Sequence, residues 1–130
     1  MASTLVTLGA DALNAAVDAI VDLVDAGAGA GTITIMESDN TVLGTLTCSD
    51  PAFGASALGI ATADTITKDD AADASGTAAK FKVEDSDGNT IYSGSVGLTG
   101  AGEACELNTL NIVAGVDIEI TALTLTLPNA

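Results

Sequence analysis

The hydrophobic pattern of this chain changes its period once, and that change restricts the fold more than any other feature. Before the Ala-Gly repeat of residues 26–31, apolar side chains recur at helical spacing, whereas after it they alternate with polar ones. A spacing of about 3.6 residues is typical of an amphipathic helix, and a spacing of about 2 is typical of half-buried strands. The pattern therefore predicts one N-terminal helix followed by a mainly β chain.

The predicted helix covers residues 10–26. One side of it carries a narrow acidic stripe: Asp11, Asp18, Asp22 and Asp25. The opposite side carries apolar residues: Leu13, Val17, Ile20 and Val24. We expect the stripe to be solvated or to contact a basic partner, and the apolar side to lie against a sheet or a neighbouring chain. These four apolar residues are therefore the candidate oligomer or partner contact.

The Ala-Gly repeat predicts where the helix ends. Gly27 fits the position directly after a helix C-terminus, where a left-handed backbone conformation is common. Because the glycines of residues 27–31 have no Cβ atoms, this stretch is predicted to be a pliable connector to the β region.

Residues 32–127 are predicted to form an antiparallel β-sandwich or jelly-roll-like fold of about six to eight strands. One hairpin is expected between strands at 32–37 and 41–49, and another between strands at 77–84 and 90–98. Two more strands are expected at 106–113 and 116–127. In the last one the apolar face changes near Thr121, which predicts a β-bulge.

Two details of the β region follow from its side chains. In the second strand, Val42, Leu46 and Cys48 are expected on one face. Residues 52–75 are dominated by small side chains and predict a long surface loop with one short strand or turn. The sizeable apolar residues of this loop are expected to anchor it: Phe53, Leu58, Ile60 and Ile66.

The length of 130 residues fits one compact domain, and a hydrophobic content of 48% is enough to bury a core. We therefore expect a single domain over residues 1–130. Residues 1–8 contain no Lys or Arg and do not resemble a signal or transit peptide, and no stretch has the length of a membrane span. A soluble chain with no membrane partner is the expectation.

The charge balance argues against several kinds of partner and chemistry. The formal net charge is −15, with 18 acidic residues against three lysines and no histidine. Such a charge repels phosphate backbones, so no nucleic-acid binding is expected. No side chain titrates near neutrality with its ordinary pKa, and neither thiol has a histidine to activate it. We expect no enzymatic activity, no cofactor and no small-molecule substrate.

The two cysteines, Cys48 and Cys105, lie 57 positions apart and have no Cys-x-x-Cys spacing. Free thiols are the first interpretation, and a disulfide is the alternative if both face one pocket in an oxidising compartment. The Asp-Ser-Asp-Gly-Asn stretch at 85–89 is interpreted as a hairpin turn, because its glycine does not fit EF-hand spacing. A calcium site there is the alternative. A second acidic cluster is expected to be solvated: Asp69, Asp70 and Asp73.

Only three aromatic side chains are available for a core: Phe53, Phe81 and Tyr92. Small aliphatic residues must fill most of it, which predicts a shallow core that gains from burying apolar area against identical subunits. Cyclic symmetry is the expected form of such an oligomer.

Four stretches resemble small structural proteins encoded in the morphogenesis region of tailed bacteriophages and prophages. They are ADALNAAVDAIVDLVDAGAGAGTI at 10–33, LTCSDPAFG at 46–54, GTAAKFKVEDSDG at 76–88 and LTLTLP at 123–128. The resemblance implies a β-rich virion component made in the host cytoplasm. It further implies a capsid cement or decoration protein that binds the major capsid protein on the shell as a trimer.

Two alternatives stay open beside the cement protein. One is a minor tail or fibre-base component of the virion. The other is a calcium- or carbohydrate-binding adhesion module, which a sandwich would suit, although sugar rings usually stack on aromatic side chains that are scarce here.

Overall fold

The computed structural model describes residues 8–127. Residues 1–7 and 128–130 lie outside the described residues, and they include most of the stretch 1–8 that was compared with signal and transit peptides. Helix α1 (Ala10–Asp22) continues into one 3-10 turn (Leu23–Asp25), so the predicted helix is confirmed with a tighter last turn.

Within residues 8–127, ten strands follow the helix: β1 (Thr32–Met36), β2 (Val42–Cys48), β3 (Ile60–Thr62), β4 (Ile66–Thr67), β5 (Gly76–Thr77), β6 (Lys80–Glu84), β7 (Thr90–Leu98), β8 (Cys105–Leu107), β9 (Asn111–Ile112) and β10 (Ile120–Thr126). The mainly β fold with one N-terminal helix is therefore confirmed. The strands are more numerous than expected because the weakly patterned regions contain several strands of two or three residues.

Eight strands form one sheet in the order β3-β10-β8-β7-β6-β1-β2-β4, and β5 pairs separately with β9. Neighbouring strands are antiparallel except β7 and β8, which are parallel. The sheet is therefore mixed, and the expectation of antiparallel pairing throughout is wrong at this one pair.

The main sheet curls until segments near its two ends meet. Asp69, just after β4, and Ile118, just before β10, exchange two backbone hydrogen bonds of 3.1 and 2.8 Å. The β5–β9 pair extends the same contact, because residues 69–78 run antiparallel to residues 110–118. One continuous hydrophobic core lies inside the curl, which is the packing expected of a sandwich-like fold.

Helix α1 covers one side of this core and contacts β3 and β10. The helix and its 3-10 turn bury four side chains: Leu13, Val17, Val21 and Val24. Compared with the predicted apolar side, Val21 takes the place of Ile20, which is half-buried. The helix thus lies against a sheet, as its apolar stripe predicts.

The three aromatic side chains form a single cluster. The rings of Phe81 and Tyr92 meet edge to face, with centroids 5.8 Å apart and an interplanar angle of 87°. Phe53 lies on the other side of Tyr92, with centroids 6.4 Å apart. Aliphatic residues fill the rest of the core, as the composition predicts. Phe53 and Phe81 are buried, and the half-buried Tyr92 packs against the core.

Both predicted hairpins are confirmed. Strands β1 and β2 pair across a turn in which Asn40 has a φ of 74°, and β6 pairs with β7 across residues 85–89. The predicted bulge is also confirmed, because the register of β10 against β8 shifts between Ile120 and Ala122.

A bulge in β2 changes which of its side chains face the core. Ile35 pairs with Gly44 and Met36 pairs with Val42, so Leu43 is an extra residue between the two pairs. Leu43 is fully buried, while Val42 is 41% exposed. The expectation that Val42 shares the buried face of Leu46 and Cys48 is therefore wrong, because an inserted residue reverses the alternation.

Most of residues 52–75 are exposed and irregular, as the predicted surface loop requires, but the segment holds more structure than the one short strand or turn that was expected. They contain β3 and β4, the two edges of the main sheet. Ala52, Phe53 and Ala61 are buried in the core. The loop prediction is therefore incomplete, because a few small or aromatic side chains of this segment pack into the core and two short strands join the sheet edges.

The predicted pliable connector at 27–31 is packed at both ends. Gly27 does not have the left-handed conformation expected after a helix; the side chain of Ser86 occupies the place where its Cβ would be. The Gly29 N–H donates to Ser86 Oγ at 3.2 Å. Gly31 is buried against Val24 and the Glu84 carbonyl. Because these glycines have no side chains, the helix end can pack closely against the β6–β7 hairpin.

Candidate interaction surfaces

The four residues predicted to contact a partner lie mostly inside the chain. Leu13, Val17 and Val24 are buried, and Ile20 is half-buried. These side chains pack helix α1 against the sheet of the same chain. A partner contact through this helix side stays a prediction, and the surfaces described below use other residues.

The polar side of the helix is only partly solvated. Asp18 Oδ1 accepts a hydrogen bond from the Ser56 N–H at 2.9 Å, and Asp25 Oδ1 accepts one from the Ala52 N–H at 2.9 Å. Burial raises the pKa of the Asp25 carboxyl, and the hydrogen bond from Ala52 opposes that rise. The expectation of a solvated stripe holds for the exposed Asp11 and Asp22 only, because the other two bind the segment after β2.

Asn14 extends this contact by one helical turn. Its Oδ1 accepts a hydrogen bond from the Gly59 N–H at 2.8 Å, and its backbone oxygen accepts one from Ser56 Oγ at 3.0 Å. Asn14, Asp18 and Asp25 share one stripe of the helix, since they are spaced by four and seven residues. Together they hold residues 52–59 against the helix.

The held segment ends in a tight turn, residues 57–60, which we name the apolar turn. Ala57 and Ile60 exchange two backbone hydrogen bonds of 2.9 Å. Between them, Leu58 and Gly59 have φ angles of 54° and 76°. Two positive φ angles define the hairpin turn in which Asn-Gly is preferred. A leucine in this conformation is unfavourable by about 1 kcal/mol.

Leu58 is also the most exposed large apolar side chain of the described residues, at 83%. It was expected to anchor a loop to the core, and that expectation is wrong, because the left-handed turn directs it into solvent. Ile60 beside it is exposed as well. The Gly59 oxygen accepts a hydrogen bond from the Leu127 N–H at 3.2 Å, so helix and sheet both fix the turn. The result is a rigid apolar projection.

A surface cavity of about 510 Å³ lies over the strands β1, β2, β6 and β7; we name it the lysine groove. Its lining contains two of the three lysines of the chain, Lys80 and Lys82. Lys82 Nζ lies 3.5 Å from Glu84 Oε2. Lys80 forms no ion pair with any residue in 8–127. The pKa of Asp39 lies below its usual value because of hydrogen bonds with Thr41 and, to a smaller extent, the charge of Lys80. The groove therefore brings two lysines together on a strongly acidic chain, with Asp39 and Glu84 beside them.

The floor of the lysine groove is apolar and its rim is polar. Met36 and Val42 contribute side chains from β1 and the start of β2, and Ser93 and Ser95 line it from β7. The residues paired across the strands explain this grouping, because Lys80 pairs with both Met36 and Ser95. Such a lining suits an apolar side chain accompanied by negative charge.

The Asp-Ser-Asp-Gly-Asn stretch forms the β6–β7 turn, as interpreted from the sequence. The Asp85 carboxylate accepts hydrogen bonds from the N–H groups of Asp87 and Asn89 at 3.0 and 2.9 Å, and from the Asn89 side-chain amide at 3.1 Å. Those from Asn89 are the main reason that the pKa of Asp85 lies below its usual value. Within residues 8–127, no group of three or more Cys, Asp or Glu side chains is placed to hold a metal ion.

Asp69 of the second acidic cluster is not simply solvated. Its Oδ2 accepts a hydrogen bond from the Thr45 N–H at 3.0 Å, and its Oδ1 accepts one from the Ala71 N–H at 3.0 Å. It therefore fixes the seam where the curled sheet meets itself. Asp70 and Asp73 are exposed, as expected.

Cys48 and Cys105 are free and buried. Burial raises the pKa of the Cys48 thiol to about 11 and that of Cys105 to about 12. Because the thiolate is the reactive form, both thiols are poor nucleophiles at neutral pH.

The search for known relatives gives no match: no protein family, no curated protein and no solved structure resembles this chain closely enough to be reported as similar. Across residues 8–127, no helix combines the length and the apolar character needed to cross a membrane.

Replacing Asp18 with alanine is expected to loosen the apolar turn, because the Ser56 N–H loses its acceptor. We expect about 1–3 kcal/mol less free energy of unfolding and faster amide hydrogen exchange at residues 56–59. Asp22→Ala is the matched control, since Asp22 lies one turn further along the helix and is exposed. Equal exchange rates in the two variants would show that Asp18 does not hold the turn.

Proposed function

We propose that this chain is a structural protein of a tailed-phage virion, a capsid cement or decoration protein that binds the major capsid protein and stabilises the head shell as a trimer. It acts by contact with protein surfaces, without catalysis, cofactor, nucleic acid or membrane.

The observation that carries this proposal is the apolar turn. A leucine that is 83% exposed is held in an unfavourable backbone conformation. The N–H groups of Ser56 and Gly59 on either side of it donate hydrogen bonds to Asp18 and Asn14 of helix α1. Backbone strain of this kind is found where function requires a particular side-chain position. A rigid apolar projection loses little conformational entropy on binding, and it gains free energy when its surface is removed from water. A projection suits binding to another protein better than capture of a small molecule.

Two sequence features support the same conclusion. The stretches at 10–33, 46–54, 76–88 and 123–128 resemble virion structural proteins of tailed phages. The net charge of −15 favours solubility of subunits that have not yet assembled.

The test is to locate the protein on particles by electron microscopy with a gold label attached to one introduced thiol. Asn108→Cys places that thiol at an exposed position between β8 and β9. The natural cysteines are buried with raised pKa values, so the wild-type chain treated with the same maleimide-gold is the matched control. The labelled chain is added to particles of the encoding phage or prophage that lack the wild-type protein.

Gold on the head shell, together with greater resistance of the shell to heat, is the expected result. Gold on the tail or fibre base would replace the cement assignment by a tail component. Absence from particles, or tight binding of calcium or a glycan by the purified chain in calorimetry, would overturn the proposal in favour of another class of protein.

A further inference from the structure

We propose that copies of this chain associate head to tail, with the apolar turn of one copy inserted into the lysine groove of the next. The number of copies, three, rests on the proposed function. The inference adds the contact that joins these copies. The occupant of the groove is thus a second copy of the same chain.

The apolar turn supplies an apolar side chain with negative charge beside it. Leu58 projects into solvent, and the Asp18 carboxylate binds the backbone two residues before it. Asp11 and Asp22 are exposed on the same helix. Any surface that receives Leu58 must therefore also accept an acidic helix.

The lysine groove offers space for an apolar side chain together with positive charge. Its volume of about 510 Å³ is ample for a leucine side chain, and Met36 and Val42 give it an apolar floor. Lys80 and Lys82 bring positive charge to the groove. Lys80 forms no ion pair within the described residues, although its charge acts on the nearby Asp39 carboxyl. With 18 acidic residues against three lysines, most of the surface would repel the acidic helix, and this groove is where attraction is available.

The two surfaces belong to different parts of the fold. The apolar turn leads into β3, an edge of the main sheet, while the groove lies over β1, β2, β6 and β7. Strands β10 and β8 separate β3 from this group. A contact between two different patches is heterologous, and when its rotation closes it produces a ring. A trimer is the closed form that the proposed function requires.

The test compares the full wild-type chain with two variants by sedimentation velocity across micromolar concentrations. Leu58→Asn removes the apolar side chain, and asparagine tolerates a positive φ better than leucine does. Lys80→Glu reverses the charge of the groove. Each change is expected to weaken association about tenfold or more, with an unchanged circular dichroism spectrum. Higher salt is expected to weaken the wild-type association as well.

Two matched controls keep the comparison specific. Val116→Asn replaces another apolar residue, 51% exposed and outside both surfaces. Lys68→Glu reverses the third lysine, which pairs with Asp117 at 3.0 Å. Both controls are expected to sediment as the wild type does.

An equimolar mixture of the two variants gives the decisive result. The Lys80→Glu copy keeps its apolar turn and the Leu58→Asn copy keeps its groove, so together they retain one complete contact. The mixture is expected to form a dimer and no larger species. A monomeric wild type, an oligomer that survives both substitutions, or a mixture that stays monomeric would overturn the inference.

These measurements need no virus particle, so the two proposals fail separately. A ring in solution without binding to particles would leave the head-to-tail contact standing and remove the cement function. Binding to the head shell by a chain that is monomeric in solution would remove the head-to-tail contact and leave binding to the shell standing.

Discussion

Replacing Phe81 with alanine is expected to lower the free energy of unfolding by about 3–5 kcal/mol, the range found when a buried phenylalanine is truncated. Phe81 is the largest fully buried side chain of the described residues. Its ring also meets Tyr92 edge to face at a centroid distance of 5.8 Å. The Tyr92 ring also packs against Phe53, and its hydroxyl donates a hydrogen bond to the Thr124 carbonyl oxygen at 3.3 Å, so it can move into the cavity only by giving up these contacts.

Urea unfolding at equilibrium measures this loss. Leu98→Ala is the matched control, because Leu98 lies in the same β6–β7 hairpin but is 49% exposed. Its substitution is expected to change stability by only about 0.5 kcal/mol. Equal losses in both variants would show that the aromatic cluster is not the centre of the core.

The aromatic cluster also supports the proposed docking surface. Phe81 lies in strand β6 between Lys80 and Lys82 and is one of the residues around the lysine groove, although its own side chain is fully buried. Because side chains alternate along a strand, Phe81 faces the core while Lys80 and Lys82 face the groove. The Phe81→Ala variant is therefore expected to bind a second copy less well even at temperatures where it remains folded.

The parts of the fold that were predicted correctly depend on local patterns. The helix follows from apolar spacing over residues 10–26, and both hairpins follow from alternation around short polar turns. The β10 bulge was predictable because Ile120 and Leu123 are both apolar but lie an odd number of residues apart, which one regular strand face cannot accommodate.

The parallel pairing of β7 with β8 had no such local signal. Parallel neighbours usually need a connection of about a dozen residues or more, whereas only residues 99–104 join these two strands. The Glu106 carboxylate makes the short return possible by accepting hydrogen bonds from the N–H groups of Gly100 and Gly102 at 3.2 and 2.7 Å. Periodicity identifies strands but does not identify their partners.

The candidate surfaces were missed for a related reason. Leu58 precedes a glycine, but it carries an apolar side chain where the preferred turn has asparagine, so the sequence favours an anchor over an exposed tip. The hydrogen bonds that fix the turn are accepted by the side chains of Asn14 and Asp18, about 40 residues away. The sequence predicts that Lys80 and Lys82 lie on one face of a strand. The groove is also lined by Met36 and Val42 of the other hairpin, and the sequence gives no sign that the two hairpins are neighbours.

Substituting Gly31 with alanine is expected to lower the free energy of unfolding by about 1–3 kcal/mol, the usual cost of overpacking. A Cβ at this position would lie 2.6 Å from the Glu84 carbonyl oxygen and 3.0 Å from the Val24 carbonyl oxygen. Both are backbone atoms, so the clash cannot be relieved by a side-chain rotation. Either the helix end or strand β6 must move.

Gly29→Ala is the matched control in the same connector. A Cβ at Gly29 would have its nearest neighbour, Ser86 Cβ, at 4.0 Å, so alanine fits and should leave stability unchanged or raise it by about 0.4–1 kcal/mol. Thermal unfolding of the two variants separates a packed connector from a pliable one, because a pliable connector would tolerate both. Loss of stability in Gly31→Ala alone would show that the glycines are required for close packing of the helix end onto the β6–β7 hairpin, whose strands line the lysine groove.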